Sequence, residues 1–171
     1  TTDSYFCNFI ENGSTKLYGS ASSGNANYFG IKLNEGGETY NISNSINDKN
    51  GDLKNATKDM ATQKFNDVIL KELRIIFQKI DEQTKEIVFN AVEKNNKIPS
   101  RVMLRKIVAM NNTGKFLYIY SNEAINTIYE FFCENNNDTK TNIEKNYLAT
   151  IELKKIFPKR ADEDDNTYLI K

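Results

Sequence analysis

Histidine and tryptophan are absent from this 171-residue chain, cysteine and proline occur twice each, and the formal charge sums to zero. Each absence removes a class of chemistry. Without histidine there is no triad of the serine-hydrolase or papain-like kind, and no histidine-bearing zinc site. Cys7 and Cys133 are too few for an all-cysteine structural zinc site within one chain. Set in the apolar contexts Tyr5-Phe6-Cys7 and Phe131-Phe132-Cys133, they read as two buried thiols of a reducing compartment, with a single disulfide as the alternative. No Gly-x-Gly-x-x-Gly or P-loop pattern offers a phosphate cradle, so no nucleotide or other cofactor is expected. No window approaches the roughly 18 apolar residues of a membrane span, and the first residues lack the charged-then-apolar order of a signal peptide. The chain opens Thr1-Thr2-Asp3 without an initiator Met, which suggests a processed or trimmed chain or a piece of a longer one. Cytoplasmic localisation is the expectation.

What is present points to a globular chain. Hydrophobic residues make up 39%, with 10 Phe and 9 Tyr, enough apolar surface for one domain spanning 1–171 without disulfide or metal support. Asparagine is over-represented at 24 residues, and with abundant Lys and Ile this fits the codon drift of an AT-rich genome. The five Asn-x-Ser/Thr sequons that begin at Asn12, Asn41, Asn55, Asn111 and Asn137 are therefore read as chance.

Seven of the eight glycines fall before residue 52, and the pattern changes there. Residues 1–53 read as a β-rich part, a four-stranded antiparallel meander. Tyr5 to Ile10 and Thr15 to Tyr18 flank Asn12-Gly13, and Asn27 to Leu33 and Thr39 to Ser43 flank Glu35-Gly36-Gly37-Glu38. Residues 44–55 read as a loop. Residues 54–171 read as a mostly helical half. Ala61, Phe65, Val68, Ile69, Leu73, Ile76, Phe77 and Ile80 recur at three- and four-residue steps, predicting one long helix. Shorter helices follow over 82–94, from Pro99 or Ser100 to about 110, and from Ser121 to about Phe132. Strands are predicted near 115–120 (Lys115 to Tyr120) and 146–153, where Tyr147, Ala149, Ile151 and Leu153 alternate. The fold class is α+β: an N-terminal antiparallel meander, then a helical half with one or two further strands. The expected core joins Phe65, Ile69, Leu73, Ile76, Leu104, Ile107, Leu117, Ile119, Ile128 and Ile151.

Charge is uneven although it sums to zero. Residues 54–111 carry net +5 against −3 before and −2 after. Lys94, Lys97, Arg101, Arg105, Lys106 and Lys115 occur without an acidic residue until Glu123. Arg101 and Arg105 lie one helical turn apart, a spacing that suits backbone phosphates. The helix order 61–80, 82–94 and 99–110 also resembles the layout of a tri-helical helix-turn-helix, with 115–120 as the start of a wing, though the turn lacks the usual glycine. The leading expectation is a non-enzymatic binding module that contacts nucleic acid through 94–115. The alternative is a protein–protein interaction domain with an acidic or unknown partner, its oligomeric state open. A third reading is a magnesium-dependent nuclease, in which Asp138 and Glu152 hold the metal and Lys154 steadies developing charge. The acidic-x-Lys spacing recurs at Asp52/Lys54 and Asp138/Lys140, and only 17 residues follow Lys154. Adjacent runs of opposite sign, Lys154 to Arg160 and Asp162 to Asp165, read as a solvated tail before a last strand at Tyr168 to Ile170.

Overall fold

A computed structural model describes residues 9–19, 29–47, 50–133 and 139–159. The described chain is α+β, an antiparallel three-stranded sheet followed by a mostly helical half. Strands β1 (Ile31–Leu33), β2 (Tyr40–Ile42) and β3 (Leu53–Ala56) lie in the order β1-β2-β3. The β1–β2 hairpin is set by its turn. Gly36 and Gly37 take φ of +101° and +75°, which side chains resist, and Asn34 binds Thr39 through both backbone and side chain. Ile31 pairs with Ile42 and Leu33 with Tyr40. β3 is a strand where a loop was expected. Its residues Leu53-Lys54-Asn55-Ala56 carry little β propensity, and it is held as an edge strand by pairing with β2 across a bulge.

The first expected hairpin is not formed. Phe9–Gly13 is a helical turn of π pitch and Thr15–Tyr18 a single α-turn. Between them Ser14 donates its N–H to Phe9 O and its buried hydroxyl to Ile10 O, both at 2.8 Å, and this local bonding draws the backbone away from an extended form. Most of the strand expected over 5–10, and the tail from residue 160, lie outside the described residues.

Helix α1 runs through Lys58–Lys64, a wider π turn at Phe65–Ile69, and Leu70–Ile76. Thr57 caps it by accepting from Met60 N. Helix α2 (Lys85–Glu93) follows a turn in which the Asp81 carboxylate accepts from Gln83 N and Thr84 N. Those donors, Thr84 foremost, hold the Asp81 carboxyl below its usual range. Helix α3 (Arg101–Asn111) is capped by Ser100, which accepts from Met103 N. Helices α4 (Asn122–Cys133) and α5 (Asn142–Ile156) form a pair. Asn122 meets Asn142, Asn126 meets Lys145, and Cys133 lies beside Glu152 and Lys155. The two therefore run parallel, with like ends together.

Neither expected strand of the helical half is formed. Residues 146–153 belong to α5. The buried positions Ile143, Asn146, Ala149 and Thr150 recur at helical spacing, while Ile151, placed inward by the alternation, is 36% exposed. Residues 115–120 are irregular rather than β. Their backbone is satisfied by side chains of α5. Leu117 N donates to Asn146 Oδ1 (2.8 Å) and Thr150 Oγ1 (3.0 Å), and Asn146 Nδ2 donates to Leu117 O (3.0 Å) and Ile119 O (2.9 Å). A segment so paired has no need of a neighbouring strand.

One apolar cluster joins sheet and helices. It contains Ile42 and Ile46, Ile69, Leu73 and Ile76 of α1, Val88 and Val92 of α2, Leu104 and Ile107 of α3, and Ile143 of α5. Phe65 packs against it half-buried, and Leu117 is buried. Ile119 and Ile128 are only half-buried.

Candidate functional site

Most of the basic segment 94–115 is used inside the fold. Arg105 projects from α3 with its side chain 5% exposed. Its guanidinium grips Glu93 of α2 bidentately, Nε to Oε1 at 2.8 Å and Nη2 to Oε2 at 2.9 Å. Nη1 donates to Tyr120 O (2.8 Å) and Asn122 Oδ1 (2.7 Å). Glu93 Oε1 also accepts from Ile143 N (2.9 Å), so a carboxylate sits on the first turn of α5 where the helix dipole favours it. This clamp ties α2, α3, α4 and α5 together. Arg101 donates to Glu93 O (3.3 Å) and Ile98 O (2.9 Å). Lys106 is fully buried. Lys115 Nζ donates to Ile80 O. Lys94 is exposed and Lys97 half-exposed. The six cations therefore do not line one open face, because α3 turns Arg105 and Lys106 inward.

The carboxylate–lysine set fares differently again. On α5, Glu152 and Lys154 are two residues apart and diverge around the helix, and Glu152 Oε1 instead accepts from Lys155 Nζ at 2.7 Å. Asp138 lies outside the described residues. Among the described residues no three His, Cys, Asp or Glu side chains come together as a metal ligand set. Cys133 is a half-buried thiol whose pKa is pushed up by burial, and Cys7 lies outside the described residues. Burial also raises the Tyr120 phenol, which donates to Tyr18 O at 2.5 Å.

The outer side of α4 escaped the sequence reading. Ile125 and Tyr129 are buried, and Asn126, Tyr129 and Cys133 face α5. Away from α5, Ala124, Ile128 and Phe131 fall at i, i+4 and i+7, forming a second apolar row. The first two are half-buried and Phe131 is 78% exposed, its ring set edge-on to Phe132 at 4.9 Å. Beside that row Glu123, Thr127 and Glu130 are all exposed at the same spacing. The signal available in the sequence was Phe131 itself, one position off the inward stripe.

Comparison with protein-family models, with curated proteins and with solved structures finds no match for this chain. Among the described residues, no helix is long and apolar enough to cross a membrane.

Proposed function

We propose that the domain is a non-enzymatic protein-interaction module that docks a partner chain on the outer face of α4. The observation that carries this reading is Phe131, the most exposed of the large apolar side chains described, continuing the half-buried row of Ala124 and Ile128. A single exposed apolar residue is ordinary. Here Phe131 continues a half-buried apolar row on one helix, the arrangement that helix-in-groove recognition uses. Nucleic-acid contact through 94–115 has less support, since Arg105 and Lys106 are buried and Arg101 and Lys115 bind backbone carbonyls.

The test is a photo-crosslinking amino acid at the exposed Thr127 position, in parallel with duplex DNA and RNA titrations at low salt. A discrete protein adduct that disappears on Phe131→Glu, with no salt-sensitive nucleic-acid binding, is the expected outcome. Binding to duplex that weakens steeply with salt and is lost on Lys94→Glu and Lys115→Glu would return the function to nucleic acid. Magnesium-dependent cleavage lost on Glu152→Ala would make it a nuclease.

A further inference from the structure

We infer that the partner seated on α4 is a basic amphipathic segment, with apolar residues at helical spacing and lysine or arginine along their border. The inference rests on the docking reading above and adds the chemistry of the occupant. Helix α4, Asn-Glu-Ala-Ile-Asn-Thr-Ile-Tyr-Glu-Phe-Phe-Cys, carries two carboxylates and no cation. Both carboxylates, Glu123 and Glu130, are exposed, and they stand seven residues apart on the same side of the Ala124, Ile128 and Phe131 row. The cations of α5 nearest to α4 are turned elsewhere. Lys145 donates to Asn126 and lies 5.8 Å from the Tyr129 ring on the inner side of the pair, and Lys140 and Lys155 hold Glu144 and Glu152 of their own helix region. Among the described residues of α4, the apolar row is thus bordered by carboxylates and by no cation.

That border selects among occupants. In an antiparallel two-fold pairing of two copies through α4, Glu123 of one would meet Glu130 of the other, like charge on like. An anionic lipid surface would meet the same two carboxylates and be repelled. An acidic peptide fails for the same reason. A basic amphipathic segment satisfies both features at once: its apolar face covers Phe131 and Ile128, and its cations meet Glu123 and Glu130 at the rim, where charge complementarity sets specificity and salt dependence.

The experiment titrates the intact chain against two labelled helical peptides with the same leucines at i, i+3, i+4 and i+7, one bordered by lysines and the other by glutamates. Fluorescence anisotropy should show the lysine peptide binding, progressively more weakly as salt rises, and the glutamate peptide not binding. Phe131→Ala should weaken the lysine peptide by about tenfold or more, as expected for an aromatic anchor. The double variant Glu123→Lys, Glu130→Lys should exchange the preference, with circular dichroism verifying that the fold persists. Equal or tighter binding of the glutamate peptide overturns the inference. So does a Phe131-dependent dimer in sedimentation equilibrium, or Phe131-dependent binding to anionic phospholipid vesicles. Failure of both peptides while Thr127 still crosslinks to a protein removes the partner chemistry and leaves docking in place; failure of the crosslink as well removes both.

Discussion

At the scale of single residues, the fold depends on polar side chains that do the work of backbone. Asn146 serves one N–H and two carbonyls of the 117–119 segment, Asn112 accepts from Ile80 N, and Asn95 accepts from both Lys97 N and Ile98 N. Each is buried. Asn146→Ala should therefore cost about 1–3 kcal/mol in urea denaturation, because it leaves buried backbone groups without partners. Arg105 has more at stake. Arg105→Ala strands the Glu93 carboxylate beside α5 and should cost about 3–5 kcal/mol, and Arg105→Lys should recover little, since an ammonium cannot form the bidentate fork. Asp81 supplies a pH signature. Its carboxyl is held below the ordinary value, so its contribution is complete above that value and is lost as pH falls through the lowered one. The stability gap between the native chain and Asp81→Asn should accordingly narrow as pH falls below the ordinary carboxylate value of 3.8.

At the scale of elements, period and length decided what the sequence made legible. The stripe from Ala61, the Ser100 cap and the Glu-led start of α4 all mark helices that the structure contains, although α1 ends at Ile76 and leaves Phe77 exposed and Ile80 beyond it. The Glu35-Gly36-Gly37-Glu38 turn likewise marks the β1–β2 hairpin. Short segments misled. Tyr147, Ala149, Ile151 and Leu153 alternate, yet the residues that α5 buries include Lys145, Asn146 and Thr150, which hydropathy counts as outward. Mutation separates the two descriptions of 146–153. Ile151→Lys should stay within about 0.5 kcal/mol of the native chain, whereas Ile143→Ala, in the core, should cost about 2–5 kcal/mol by thermal or urea unfolding. The candidate site was less legible than the fold. A run of cations reads as a surface until the partners that bury it are known, and Glu93 lies twelve residues from Arg105 on another helix.

At the scale of the whole molecule, α1, α2 and α3 share one apolar cluster with the sheet, and α5 reaches it through Ile143. The Glu93–Arg105 clamp adds a polar joint to the same assembly. Ile76→Ala, at the centre of that cluster, should cost about 2–5 kcal/mol and lower a single cooperative transition. The parallel course of α4 and α5 has a consequence for chain length. After twelve residues of α4, roughly 18 Å of rise, the eight residues 134–141 must return the chain to the level at which it began. Their fully extended contour is roughly 29 Å, so removing three or four residues uses up the slack and pulls Ile143 away from Glu93. Doubling the connection adds only about 0.6 kcal/mol of closure entropy. The tether between the two helices is thus free to lengthen and nearly forbidden to shorten, and insertions there should leave the α4 face in place while deletions dismantle it.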